Sequence, residues 1–237
     1  MNASNYTKKD LTQAGFAQAG FTLVEIAIVL VIIGLLLGGI LKGQEMITQA
    51  KIKNIVNDFN GITVAVTSYQ DRYRALPGDD QNATTRWTTQ APGKGNGDGV
   101  IIGKYKDNDT GGTLGAPADL KESNLFWQHL RIAGFVPGLT QGTGSGTPPP
   151  NAAGGMIGVE NAVVGTNGLG FTSLIACSSN LPDKVAIAID TQMDDSNSAT
   201  GQVRAQLQAN ANPFTDINPA TAYVETGVNQ YLVCKNY

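Results

Sequence analysis

The chain has 237 residues, with 16 basic against 19 acidic side chains, a net charge of −3 and an isoelectric point near 5.1. That balance excludes binding to nucleic acid through basic neutralisation of phosphates. Charged residues at 15% and glycine at 29 positions depart in opposite directions from a soluble average of ~25% charged and ~7% glycine, which excludes a large oily-cored enzyme and describes a membrane-inserted segment joined to a lean, loop-rich domain.

Phe21–Leu41, FTLVEIAIVLVIIGLLLGGIL, holds one charge and no proline. As a helix rising 1.5 Å per residue it reaches ~31 Å, enough for a bilayer core. A secretory signal core is shorter, ~7–15 residues, and ends in a small-x-small cleavage site. No such site follows here; beyond Lys42 the chain continues in a helical pattern. Lys8 and Lys9 precede the run and Lys42, Lys51 and Lys53 follow it, so flanking charge leaves its orientation open. Glu25 is an acid inside an apolar span, a position that marks pairing or function unless the side chain snorkels from the nearby end.

Ala19-Gly20-Phe21-Thr22-Leu23-Val24-Glu25, placed ahead of that run, resembles the class III signal of type IV pilins and type II secretion pseudopilins. The resemblance implies that a prepilin peptidase cuts after Gly20, methylates Phe21 as the new N-terminus and leaves Glu25 fifth in the mature chain. Gly15-Phe16 does not match, because Gly20 stands where the acid is required. Residues 1–20 are then a removable leader, and the 217-residue mature chain carries −4. The leader length suits the type IVb subclass and a first mature phenylalanine the type IVa subclass. Assembly is expected to use Glu25, facing the Phe21 amine of a neighbouring subunit, together with Gly34 and Gly38. Gly34/Gly38 and Gly39/Gly43 are small-xxx-small pairs that permit close helix packing. Gly34 takes the fourteenth mature position, where pilins carry glycine. Lys42 stands where many carry a helix-melting proline, which leaves any local melting to the glycines.

No proline occurs before Pro77, so one helix over residues 21–76 is expected, with 21–41 as membrane span and filament core. Over 44–76 the apolar positions Ile52, Ile55, Phe59, Ile62, Val66, Tyr69, Tyr73 and Leu76 recur at steps of three and four, an amphipathic face made to dock on a sheet. Leu76-Pro77-Gly78-Asp79 provides the stop. Residues 77–237 form the head. Pro92–Gly99 and Pro137–Gly155 read as loops. A helix is expected over Lys121–Ala133, closed by Gly134, with Leu125, Phe126, Leu130 and Ala133 inward. Another is expected over Pro182–Met193, although alternation across Val185–Ile189 also suits a strand. Strands are expected at Met156–Val164, Phe171–Ala176, Gln202–Gln208 and Gln230–Lys235. The fold class is α+β and pilin-like, a long N-terminal helix on an antiparallel sheet with long loops.

Cys177 and Cys234 are the only cysteines. In an oxidising compartment a disulfide is the default, the alternative being two buried thiols, and closing that loop contributes roughly 4 kcal/mol. Pilins bracket a C-terminal segment in this way, whereas many pseudopilins do not.

Catalysis is not expected. His129 is the sole histidine, with no second metal ligand at helical spacing, and suits a helix surface or a hydrogen-bonded structural role. The cysteines are too distant for a redox dithiol, and no phosphate-cradling glycine motif occurs. No cofactor is expected apart from one calcium candidate. Asn96-Gly97-Asp98-Gly99 resembles the middle of a calcium loop, with Asp79, Asp80, Asp107 or Asp109 to complete a shell. The match lacks its first ligand at Lys94 and its twelfth at Tyr105, and a plain glycine turn is the simpler reading. The expected function is a structural subunit of a type IV pilus-like filament, minor or major. A type II secretion pseudopilin and a membrane-anchored adhesin or DNA-uptake tip are the alternatives. Its expected partners are like subunits, prepilin peptidase, the inner-membrane assembly platform and, before assembly, membrane lipid, with no specific nucleic acid. Its expected place is the inner membrane with the head in the periplasm, then the filament.

Overall fold

The structure is a computed structural model, and it describes residues 21–107, 121–161, 168–209 and 216–237. Residues 1–20, the expected leader, lie outside the described residues, Gly20 among them, as does Asp109. The chain divides into two compact units, residues 1–46 and residues 47–237.

In the first unit the helix α1, Leu23–Tyr73, begins. Its apolar side chains are exposed here, among them Phe21, Leu23, Leu35 and Leu41. This is one helix long and apolar enough to cross a membrane. Uninterrupted helix follows from the lack of proline, while β-branched Val and Ile do no harm where lipid or other helices pack around them.

In the second unit the rest of α1 buries Ile52, Ile55, Phe59, Ile62, Ala65, Val66 and Tyr69, the expected stripe. Tyr73 and Leu76 are only half-buried. The helix also ends earlier than residue 76. Arg74 takes φ 56°, a left-handed conformation that a helix cannot continue through, while its N–H still reaches the Gln70 carbonyl at 2.8 Å. Beyond it lie α2 (Ala83–Arg86), α3 (Glu122–Ile132), β1 (Ile157–Asn161), β2 (Leu174–Pro182), α4 (Asp183–Met193), β3 (Val203–Leu207) and β4 (Gln230–Asn236). All strand pairs are antiparallel, in the order β1-β2-β4-β3.

Helix, not strand, takes Val185–Ile189, since Val185, Ala186 and Ile189 face the main core at helical spacing. The strand expected at Phe171–Ala176 starts late and runs on to Pro182. Polar Ser178 and Ser179 disguise its second half; they are buried because Asn151 Nδ2 donates to Ser178 Oγ at 2.9 Å and Met156 N to Ser179 Oγ at 3.1 Å. Positions 162–164 of the first expected strand fall outside the described residues.

The sheet is buried on both faces, with the period of two that a strand requires. Ala176, Val203, Ala205, Tyr231 and Val233 face α1, α3 and α4. Ile175, Cys177, Leu232 and Cys234 face the other way, onto Tyr105, Leu169 and Phe171 from irregular segments. Cys177 pairs directly with Cys234 across β2 and β4, and the two form a disulfide. Labelling of the denatured, non-reduced protein is therefore expected to find no thiol; two reactive thiols per chain would contradict the pairing. The C-terminal strand also grips α1: the Tyr237 hydroxyl donates to the Phe59 carbonyl at 2.9 Å.

Candidate functional site

The motif residues sit at the start of α1. Thr22 is the residue before the helix, and its side chain and backbone close a reciprocal capping box with Glu25. The Glu25 N–H donates to Thr22 Oγ1 at 3.2 Å, while Thr22 N–H and Oγ1–H both donate to Glu25 Oε2 at 2.8 Å. Such a box satisfies otherwise orphaned amides of the first helical turn, and the acid also complements the helix dipole. Thr22 was not among the expected functional residues, although Thr-x-x-Glu ahead of an apolar run is a legible helix-start signal. Glu25 is therefore held by its own helix end. Phe21 is 82% exposed beside it.

Lower on the same helix, a Cβ placed on Gly34, Gly38, Gly39 or Gly43 would meet nothing within 4 Å. Among the described residues, these glycines pack against nothing. Gly34 with Gly38 on one face, and Gly39 with Gly43 on another, leave bare backbone on which another helix can approach closely.

The acidic groups in the head resolve differently from expectation. Asp79 and Asp98 do come together, and the third acid with them is Glu122, whose oxygen lies within 4.8 Å of theirs. Asp79 accepts from the backbone N–H groups of Gly97 and Gly99, and Glu122 from those of Asn96 and Ile102. Asn96 instead turns its Oδ1 to the Asp98 N–H at 2.9 Å. The loop thus wraps its own amides around the acids, which is what a glycine turn folded on buried carboxylates looks like. Burial raises the Glu122 carboxyl above its ordinary range despite its two backbone donors. Asp80 is not part of this group. It is 1% exposed and bonded to Arg86, to the Tyr69 hydroxyl at 2.8 Å and to the Asn82 N–H at 2.9 Å. Neighbours on a turn point apart, so the sequence adjacency of Asp79 and Asp80 misled. Asp107 stands apart from the cluster and pairs with Lys121 at 2.8 Å.

His129 is fully buried, not on a helix surface. Its Nδ1 accepts the Gly78 N–H at 3.0 Å and its Nε2 donates to the Gly93 carbonyl at 2.9 Å, which fixes one neutral tautomer. Burial pushes its pKa down to about 4. Because the unfolded chain takes up that proton near 6.5, His129 contributes stability that is full above 6.5 and lost as pH falls towards 4. The whole of α3 from Glu122 to Arg131 is buried, beyond the four positions expected, and Ala133 is only half-buried. The far side of α3 is covered by loop backbone: Arg131 donates to the Ser145 carbonyl at 2.6 Å and to the Thr147 carbonyl at 2.7 Å.

No curated protein and no solved structure matches the chain significantly. The prokaryotic N-terminal methylation motif does match, over residues 15–41, the stretch that includes Gly20, Phe21, the capping box, Gly34, Gly38 and Gly39. Residues 15–41 thus carry the prepilin-type motif of type IV pilins and pseudopilins.

Proposed function

We propose that the chain is a structural, minor subunit of a type IV pilus-like filament. The peptidase removes residues 1–20 after Gly20 and methylates Phe21. The subunit waits in the inner membrane with residues 47–237 in the periplasm, then joins the filament at the assembly platform through the first half of α1. The observation that carries this reading is the joining of the methylation motif to a continuous helix whose apolar side chains from Phe21 to Leu41 are exposed. At ~1.5–3 kcal/mol per large apolar side chain taken out of water, that surface must lie in lipid or against like helices. The Cys177–Cys234 disulfide favours a pilus over a secretion pseudopilus.

The test is mass spectrometry of filaments sheared from cells and of the membranes left behind. The expected species in both lacks residues 1–20 and bears one methyl group on the Phe21 nitrogen. Gly20→Val should accumulate in the membrane with its leader attached. A chain that keeps its leader in wild-type cells, or one missing from the sheared filaments, would overturn the proposal.

A further inference from the structure

The sheet face turned away from α1 is closed by irregular segments, and one acid is buried beneath them. Glu160 of β1 is 5% exposed and points to the same side as Gly158. Its Oε2 accepts the Tyr105 N–H at 2.9 Å, its one hydrogen bond among the described residues. Tyr105 is 1% exposed and packs in one cluster with Cys177 and Cys234. The fit is tight, since a Cβ on Gly158 would overlap the Tyr105 carbonyl. The turn at residues 104–107 is therefore the cover of the disulfide, and Glu160 holds it from below.

The other anchors of this turn lie nearer solvent. Lys104 and Lys106 pair with Asp216 at 2.7 and 2.9 Å, Lys121 pairs with Asp107 at 2.8 Å, and Asn124 donates to the Asp107 carbonyl at 2.7 Å. Asp216 is half exposed, and exposed ion pairs of this kind hold weakly. Gly103, at φ +121°, joins the turn to the preceding chain through a conformation that side chains disfavour, a natural hinge.

Among the described residues, these same groups are the charges that face Glu160. Lys104 favours its ionised form, and Asp107 and Asp216 oppose it. Lys106 and Lys121 are engaged with those acids. Arg204 of β3 is turned to the Leu169 carbonyl at 2.8 Å and lies over the Phe171 ring. Burial dominates, and pushes the Glu160 pKa up to about 7 against the single amide donor and Lys104.

We propose that Glu160 is a proton-dependent latch: protonated, it keeps the turn at residues 104–107 shut over Cys177–Cys234, and ionised, it releases the turn and opens the disulfide to solvent. The sign follows from linkage. The open form solvates Glu160 and restores an ordinary value near 4.5, so opening gains up to about tenfold per pH unit from 4.5 to 7 and levels off above 7. Global unfolding is a blunt readout, because His129 acts in the opposite sense over much of the same range.

The test is reduction of the disulfide by tris(carboxyethyl)phosphine in the full chain held in detergent, from pH 5 to 8. The phosphine supplies two electrons and becomes a phosphine oxide with oxygen from water, and the disulfide becomes two thiols. Glu160→Gln keeps an acceptor for the Tyr105 N–H and cannot ionise. The ratio of the wild-type rate to the Glu160→Gln rate is expected to rise more than about tenfold between pH 5 and 7, then flatten; taking the ratio removes the phosphine's own titration. Parallel profiles would overturn the latch. If Glu160→Gln does not fold, the same ratio taken against oxidised glutathione decides, and a flat ratio overturns the proposal.

Discussion

Glu25→Ala is expected to be processed and inserted normally yet to yield few or no filaments. On the proposed processing, the peptidase cuts after Gly20, and the acid five residues further on is left free for assembly. On the proposed filament reading, the desolvated Glu25 carboxylate would face a neighbour's Phe21 amine, and stripping one partner from such a pair strands the other at ~3–5 kcal/mol. The capping box separates this effect from a local one. Thr22→Val removes the hydroxyl that bonds Glu25 but keeps the acid, and should cost about 1 kcal/mol of helix start, typical of a lost cap. The measurement is leader removal by mass and filament number by microscopy for both variants. Filaments of ordinary number from processed Glu25→Ala, or an equal loss in Thr22→Val, would leave Glu25 with a capping role alone.

In the head the largest loss is expected for Asp80→Ala. Burial alone would raise this carboxyl; Arg86, the Tyr69 hydroxyl and the Asn82 N–H outweigh burial and lower it. Removing the acid leaves a buried hydroxyl and a mostly buried guanidinium without their partner, at ~3–5 kcal/mol, which lowers the melting temperature by roughly 10 °C. Tyr69→Phe gives up one hydrogen bond, about 1 kcal/mol, and keeps the ring that stacks on His129 at 6.2 Å. The Asp80 contribution should be present at neutral pH and vanish on acidification below its unfolded value near 3.8. Calorimetry that finds Asp80→Ala as stable as wild type would show that Arg86 and Tyr69 find other partners.

Much of this was legible because it is local. The methylation motif is legible by its resemblance to a known signal, while the apolar run, the stripe from Ile52 to Tyr69, and strands such as Val203–Leu207 and Gln230–Asn236 announce themselves by spacing. What was not legible depends on distant backbone. Glu122, Gln128, His129 and Arg131 look like the wet side of a helix, and are buried because the segments around Gly93 and Ser145 bring carbonyls and amides to them. Glu122 joins Asp79 from far along the chain, while adjacent Asp80 turns to Arg86. Burial of Glu160 has the same origin, since a strand acid next to an apolar residue carries no mark of the turn that will cover it.

The strand order β1-β2-β4-β3 has a consequence for how the head is made. β4 comes last of the four in the chain yet lies between β2 and β3. Synthesis delivers β2 and β3 first, each with its inner edge open, and unpaired edges invite aggregation. Until residues 230–237 arrive, Cys177 has no partner, the sheet has no centre, and α1 lacks the grip of Tyr237 on Phe59. A chain interrupted before Gln230 is thus a β1-β2 pair and an unpaired β3, not a slightly shorter head. Placing β4 in the middle means that the sheet closes only once residues 230–236 are in place.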